Sequence, residues 1–269
     1  MIQQKSTRDL TRLRLGHVPL ILMYHGVEKV SEDPYQLCVT PARFSEQMTW
    51  LAERGLRGVS IETLVAAMRE GHARGLVGIT FDDGYVNVLE NAVPELLQHD
   101  FTATMFIVSG LLGGTNVWDG EPVWPLMTAD QVAEVAAAKM EIGSHGVTHI
   151  RLSGLDARRQ RAEISESRSR LSELLGRPIH GFAYPYGVMD ASARRAVQDA
   201  GYDYACSVVT PISDLGIMTL PRIVFGQGDT PVKMAAKRIV FRGTIAAHGA
   251  WRMIAANNSP APGSPAVST

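Results

Sequence analysis

Two histidines and two aspartates of the sequence have types and spacings that could bind a metal ion. His145 and His149 are four positions apart, so one helical turn after a strand would place both imidazoles on one side. Asp82 and Asp83 are adjacent and end an apolar run. Two imidazole nitrogens and one carboxylate oxygen form a common open site for a divalent ion. The second carboxylate could take a proton from water at that ion, so the set predicts metal-assisted hydrolysis.

Each of these features, taken alone, also has a simpler structural explanation. Two histidines four apart can be ordinary surface residues, and adjacent carboxylates after a strand often form a turn or a helix cap. Residues 184–187 (YPYG) could be a rigid turn with packed aromatic rings, and His25 could be a core histidine. The joint occurrence of all four features, each directly after a predicted buried strand, favours one common site.

The elements that must position these residues are short apolar runs that alternate with stretches of helical period. Runs typical of buried strands occur at 20–24, 77–81, 102–108, 140–144, 181–184 and 204–208. Capping residues mark the starts of predicted helices, among them Thr40, Thr128 with Gln131, and Asp190. This alternation predicts an α/β fold with parallel strands covered by helices, in a single barrel-like domain. In such folds reactive residues collect at the carboxyl ends of the strands.

The composition limits the classes of protein that the chain can belong to. Of its 269 residues, 45% are hydrophobic and 20% are charged, which is ordinary for a soluble globular protein. The formal net charge of -1 and the lack of a basic cluster in the barrel region argue against nucleic acid as a partner. Because there are only two cysteines, neither a disulfide framework nor a Cys-based zinc site is expected.

The ends of the chain differ from its middle. We expect residues 1–16 to form a polar and basic extension, 17–256 to form the domain, and 257–269 (NNSPAPGSPAVST) to form a disordered tail. No secretory signal or membrane span is evident, which predicts a cytoplasmic protein. Residues 233–255 mix cations with bulky apolar side chains, a pattern of helices that lie in a membrane interface. Peripheral contact with the inner membrane face is therefore one hypothesis, and a closing helix of the barrel with an irregular tail is the other.

Three motifs resemble a known family. Residues 80–85 (TFDDGY), 144–149 (SHGVTH) and 182–187 (FAYPYG) resemble, in order and interval, the first three signature motifs of the polysaccharide deacetylases. This is the NodB-homology family, also called carbohydrate esterase family 4. The resemblance runs from about residue 17 to 225 and implies a distorted (β/α) barrel with about seven parallel strands.

The resemblance also implies a role for each residue of the predicted site. Asp83, His145 and His149 would hold one divalent metal ion, usually zinc and sometimes cobalt or nickel. Asp82 would be the general base, and the backbone N–H of Tyr186 would stabilise the oxyanion together with the metal.

The predicted catalytic acid departs from the pattern of many family members. They carry a Leu-x-x-His-type motif near the C-terminus, which the segment around His248 (TIAAHG) fits poorly. Residues 23–27 (MYHGV) instead resemble the N-terminal motif of the branch that deacetylates poly-N-acetylglucosamine. In that branch the order of elements is permuted, so His25 would be the acid. Arg222, in the segment LPRI, resembles the arginine that orients the base.

The expected activity is removal of N-acetyl groups from an amino sugar in a glycan or glycoconjugate, with release of acetate. The alternatives are an esterase that removes O-acetyl groups from a glycan and a catalytically silent module that binds glycans. Trp118 and Trp124 lie in the long segment 111–126, where their indoles could stack on sugar faces or pack in the core. The sequence leaves open whether the sugar is part of a polymer, lipid-linked or small.

Overall fold

The structure of the chain, a computed structural model, covers most of the predicted domain. It describes residues 18–118, 120, 123–208, 214–241 and 243. The predicted extension, the predicted tail and His248 all lie outside the described residues. The domain limits at 16 and 256 therefore stay predictions.

Short parallel strands form the centre of the fold. They are β1 (Ile21–Tyr24), β2 (Gly26–Val27), β3 (Cys38–Val39), β4 (Arg57–Val59), β5 (Leu76–Phe81), β6 (Thr104–Ile107), β7 (Glu141–Ser144), β8 (Gly181–Ala183), β9 (Tyr204–Ser207), β10 (Leu220–Pro221) and β11 (Ile223–Val224). β2 and β3 pair with each other outside the main sheet. Most residues of the main strands are buried, as expected for a parallel sheet covered by helices.

The main sheet curls into a barrel. Its strands follow the order β10-β9-β8-β7-β6-β5-β1-β11, with β4 beside β5, and every pairing is parallel. β10 pairs with β9 and β11 pairs with β1, and only Arg222 separates β10 from β11. If β10 and β11 are counted as one strand, the described residues form eight parallel strands, seven around the ring and β4 alongside. The predicted distorted (β/α) barrel is confirmed.

Helices cover the sheet and carry the connections between strands. They are α1 (Pro41–Ala52), α2 (Ile61–Glu70), α3 (Val93–Gln98), α4 (Ala129–Ala137), α5 (Ala157–Arg161), α6 (Ser167–Leu175) and α7 (Ala191–Asp199). The predicted caps are present: Thr128 and Gln131 form a capping box at α4, and the Asp190 carboxylate accepts the Ala193 N–H in the first turn of α7. A π-helical turn, Ala162–Glu166, joins α5 to α6.

The C-terminal part of the described chain is helical at 231–241, where Val232, Ile239 and Val240 are exposed. Most of the remaining segment up to residue 255 lies outside the described residues. None of the described helices is both long and apolar enough to cross a bilayer. Contact of 233–255 with a membrane and a cytoplasmic location stay predictions.

α2 packs against the interior of the barrel at the end opposite to the carboxyl ends of the strands. Gly78 and Thr80 lie on the same face of β5, because side chains alternate along a strand. A Cβ atom on Gly78 would lie 2.6 Å from Ile61 in α2, and the Thr80 hydroxyl accepts a hydrogen bond from the interior Arg222. α2 and Arg222 therefore lie on the same face of the sheet, with α2 at the amino end of β5.

A buried carboxylate connects the strands at this amino end. The Glu141 oxygens accept hydrogen bonds from Tyr204 Oη and Thr104 Oγ1, both at 2.5 Å, and from the backbone N–H of Glu62 at 3.0 Å. Burial raises the pKa of Glu141, although these hydrogen bonds oppose the shift. Gly181 lies against the Tyr204 ring, and a Cβ atom there would be 2.1 Å from the Tyr204 oxygen. Glycine at 181 thus allows the contact between Tyr204 and Glu141.

We expect Gly181→Ala to lower the free energy of unfolding by about 2–4 kcal/mol, because the added methyl group must displace Tyr204 and break its hydrogen bond. Urea denaturation followed by circular dichroism measures this change. Gly226→Ala is the control, since the new Cβ atom would lie 3.9 Å from the backbone oxygen of Gln36 and the φ of Gly226 lies outside the left-handed region. Equal stabilities for the two variants would contradict the predicted role of Gly181.

Candidate active site

Three buried side chains meet at the carboxyl ends of β5 and β7. Asp83 follows β5, and His145 and His149 follow β7. Asp83 Oδ1 lies 3.3 Å from His149 Nε2 and 3.5 Å from His145 Nε2. One ligand atom from each residue falls within 4.8 Å of the others, a spacing that suits one metal ion. The predicted ligands are therefore brought together by the fold.

The backbone of this site adopts conformations that side chains other than glycine rarely take. Asp83, His149 and Tyr186 have φ values of 72°, 60° and 60°. A residue other than glycine in this left-handed region costs on the order of 1–3 kcal/mol and persists only where its surroundings enforce it. Such strain concentrates at functional sites, which supports a functional role for this cluster.

His145 is held as a neutral imidazole with its Nε2 atom directed at the cluster. Its Nδ1 lies 2.8 Å from the backbone oxygen of Ala183, which can only accept, so Nδ1 carries the proton. The Nε2 lone pair is then available to a metal ion. Burial lowers the pKa of His145 to about 4, even though the neighbouring Asp82 opposes this shift. The ring is therefore uncharged at neutral pH.

The charge state of Asp83 also suits the binding of a cation. Burial alone would raise the pKa of Asp83, but the nearby His149, His25 and His145 outweigh it and hold the pKa well below its ordinary value. Its Oδ1 atom is buried and accepts no hydrogen bond of good geometry from the residues that the structure describes. A buried carboxylate oxygen without a donor, facing two imidazole nitrogens, is a donor set that a divalent ion would satisfy.

Asp82 is oriented by a buried arginine on the closing segment of the barrel. Arg222 Nη1 and Nη2 donate to the two oxygens of Asp82 at 2.6 and 2.8 Å, and Nη1 also donates to Thr80 Oγ1 at 3.2 Å. Burial alone would raise the pKa of Asp82, but the charge and hydrogen bonds of Arg222, with a contribution from His145, lower it. Asp82 is thus an ionised carboxylate fixed by a bidentate contact.

His25 lies between β1 and β2 at the same end of the barrel. It is half-buried and close enough for its charge to lower the pKa of both Asp82 and Asp83. The segment after it is anchored by Asn87, whose Oδ1 accepts the Val27 N–H at 3.1 Å. The structure therefore places the predicted acid near both carboxylates, and its role in proton transfer stays a prediction.

The aromatic residues around the site separate into two groups. The Trp118 ring stacks on the His149 ring at 4.3 Å, and the Tyr186 ring lies 4.7 Å from His149 on a tilted plane. Trp124 instead packs in the core, with its ring 5.5 Å from Tyr85. From the sequence, each tryptophan could either pack in the core or stack on a sugar. In the structure Trp118 lies at the site and Trp124 lies in the core. The predicted oxyanion role of the Tyr186 N–H stays a prediction.

The fold and the geometry together define the class of the protein. It is a (β/α)-barrel protein with a His–Asp–His cluster and a buried Asp–Arg pair at the carboxyl ends of its strands. Residues 69–205 match the family model described as polysaccharide deacetylase. The chain belongs to the polysaccharide deacetylase family. The matched range includes both aspartates and both histidines of the cluster but excludes His25 and Arg222.

Two relatives and one solved structure illustrate the similarity. YxkH of Bacillus subtilis, provisionally named as a polysaccharide deacetylase, is 25% identical over 77% of this chain and 71% of its own length. The poly-β-1,6-N-acetyl-D-glucosamine N-deacetylase of Staphylococcus epidermidis is 24% identical over 76% of this chain and 78% of its own. The deacetylase PplD of Streptococcus pyogenes, solved with acetate, superimposes with a TM-score of 0.70 at 23% identity. That superposition covers 81% of this chain and 96% of PplD and shows a common fold.

We expect Arg222→Met to destabilise the metal-free protein by about 3–5 kcal/mol at about pH 7, because it leaves the Asp82 carboxylate buried and unpaired. Arg222 lowers the folded-state pKa of Asp82, so the pair stabilises the fold above the ordinary aspartate pKa of 3.8 and loses this contribution at lower pH. In the variant Arg222 no longer opposes the effect of burial, which raises the pKa of Asp82, so the buried carboxyl takes up a proton and the difference between the two proteins should shrink as the pH falls from about 7 to about 4.

Urea denaturation at both pH values measures the effect. Arg170→Met, which breaks only an exposed ion pair with Glu166, is the matched control and should change stability by less than about 0.5 kcal/mol. A destabilisation by Arg222→Met that does not depend on pH would show that the pair with Asp82 is not its cause.

Proposed function

We propose that the protein is a metal-dependent hydrolase that removes N-acetyl groups from N-acetylglucosamine residues of a glycan or glycoconjugate. The observation that carries the proposal is the position of Asp82, held by Arg222 directly beside the Asp83, His145 and His149 cluster. A carboxylate base next to a metal site is what hydrolysis of an acetyl amide needs. Membership of the polysaccharide deacetylase family and the names of the staphylococcal relatives support the sugar substrate.

Asp83, His145 and His149 would hold the metal ion. Their two imidazole nitrogens and one carboxylate oxygen match the donor set that zinc prefers, and cobalt or nickel would also be accepted. When bound, the ion polarises the acetyl carbonyl and lowers the pKa of water.

The remaining residues divide the proton transfers between them. Asp82, ionised and held at both oxygens, takes a proton from the attacking water as the water adds to the acetyl carbon. The Tyr186 N–H donates to the carbonyl oxygen as negative charge develops there, a contribution of about 3–4 kcal/mol for one well-placed donor. His25 then gives a proton to the sugar nitrogen as the C–N bond breaks. The products are acetate and a free amino sugar.

We expect the protein to release acetate from N-acetylglucosamine oligomers only with a divalent ion, and a chelator to abolish the activity. Asp82→Asn should keep the metal but lower turnover by about 10²–10⁴-fold, because an amide cannot act as the base. Acetate release and metal content are measured on the same samples. Acetate release from O-acetylated glycans alone would identify an esterase, and no release from either substrate by a metal-loaded protein would identify a glycan-binding module.

We expect the His25→Ala effect to depend on the leaving group. A general acid matters for an amine, which must be protonated to leave, but hardly for the phenolate of an activated aryl acetate. His25→Ala should therefore lower N-deacetylation by about 10²–10⁴-fold and aryl acetate hydrolysis by less than about tenfold, whereas Asp82→Asn should lower both. If His25→Ala lowers both reactions equally, His25 is not the acid.

A further inference from the structure

We propose that Glu163 is a positioning residue for the metal site. Its carboxylate holds the loop between the two histidine ligands and thereby sets the position of His149. The inference rests on the proposed function, because it takes Asp83, His145 and His149 to be the metal ligands.

The loop at 146–148 is short and strongly turned. Gly146 has a φ of 84° and His149 a φ of 60°, so both ends of the loop are in the left-handed region. β7 ends at Ser144, before the loop begins. The position of His149 therefore depends on contacts that the loop itself makes.

Glu163 supplies the acceptor for three donors of this loop. Its Oε2 accepts the N–H groups of Val147 at 2.8 Å and Thr148 at 2.9 Å, and its Oε1 accepts the Thr148 hydroxyl at 2.6 Å. Hydrogen bonds to an ionised carboxylate are about twice as strong as those between neutral groups. One side chain thus fixes two consecutive peptide groups directly ahead of His149.

The other contacts of the loop are made by neutral groups, mostly to its carbonyl oxygens. The Gly146 oxygen accepts from the Ser109 N–H at 3.0 Å and from Ser167 Oγ at 2.9 Å, and the Val147 oxygen accepts from the Gly110 N–H at 2.9 Å. A Cβ atom on Gly110 would lie 2.5 Å from that Val147 oxygen, so glycine is needed for the approach. The neutral donors thus hold the carbonyl oxygens of the same two peptide groups whose N–H groups Glu163 accepts, and Glu163 alone of these residues also binds the Thr148 hydroxyl.

The two histidines are held in different ways. His145 is fixed by the hydrogen bond from its Nδ1 to the Ala183 oxygen. The Nδ1 atom of His149 is buried and has no hydrogen-bond partner among the described residues, and its ring contacts Trp118 and Tyr186 instead. Stacking restricts the tilt of a ring but does not fix its position along the stacking plane. The contact of Glu163 with the loop therefore sets the position of His149, as the hydrogen bond to the Ala183 oxygen sets the position of the His145 ring.

The local fold explains why Glu163 can reach the loop. Glu163 lies in the π-helical turn Ala162–Glu166, and Ser167, which also contacts the loop, begins α6 directly after it. π-Helical turns are rare and occur frequently at functional sites, where they change which side chains face a given direction. Here the turn presents Glu163 and Ser167 to the same loop.

The test measures zinc affinity by competition with a chelator, together with the absorption spectrum of the cobalt-loaded protein. Glu163→Ala should raise the Kd for zinc by about 10–100-fold, the usual effect of losing a group that orients a metal ligand, and should change the cobalt spectrum. Glu163→Gln should weaken binding by only about 3–10-fold, because its oxygen can accept both N–H groups and its amide can donate to the Thr148 hydroxyl. Glu166→Ala, in the same turn, is the control, since its side chain is 57% exposed and makes an exposed ion pair with Arg170.

A Kd of folded Glu163→Ala within about threefold of wild type would overturn the inference while leaving the proposed function intact. If Glu163→Ala does not fold, the test uses Glu163→Gln instead. An unchanged Kd for zinc in that variant overturns the inference. An equal rise in the Kd for zinc in Glu166→Ala would show that any substitution in this turn weakens zinc binding, and would overturn the inference. A wild-type protein that binds no zinc would overturn the proposed function, and the role of Glu163 with it.

Discussion

The ion pair between Asp82 and Arg222 connects the closure of the barrel to the chemistry of its site. Asp82 directly follows β5, and Arg222 separates β10 from β11, the two short strands that join opposite edges of the sheet. Both side chains are buried, and burying either charge alone would cost several kcal/mol. The closing segment must therefore lie where Arg222 reaches Asp82, and Asp82 is fixed as an ionised carboxylate by the same contact. The closure of the barrel and the orientation of the predicted base therefore both depend on the ion pair between Asp82 and Arg222.

Two buried carboxyl groups at opposite ends of the barrel have pKa values that are shifted in opposite directions. Glu141, at the amino end of β7, is surrounded by neutral donors and has a raised pKa. Asp82, at the carboxyl end of β5, faces Arg222 and has a lowered pKa. Burial acts in the same direction on both groups, so the neighbouring charge accounts for the difference. The first environment suits a structural hydrogen-bond centre, and the second suits a group that must accept a proton at neutral pH.

The predicted metal ligands are positioned by groups that are not ligands themselves. The left-handed conformations of Asp83 and His149 are unfavourable by themselves, so neighbouring contacts must maintain them. The Ala183 oxygen orients the His145 ring, and Glu163 holds the loop that leads to His149. Such outer contacts fix the direction of a ligand lone pair before a metal arrives, which reduces the reorganisation on binding.

The sequence by itself determined the class of fold, the positions of the main strands and the residues of the site. These features depend on local patterns: apolar runs give strands, capping residues such as Thr128 and Asp190 start helices, and the motifs place polar side chains at strand ends. Only the tertiary structure decided that the two-residue strands β10 and β11 close the barrel, since segments so short carry no period. The pairing of Arg222 with Asp82, separated by 140 positions, was expected only from the family resemblance, and the tertiary structure shows it as a bidentate contact and places Glu163 against the histidine loop. It also assigned Trp118 to the site and Trp124 to the core. Contacts between distant residues depend on how the strands assemble, and no local pattern of residues encodes that assembly.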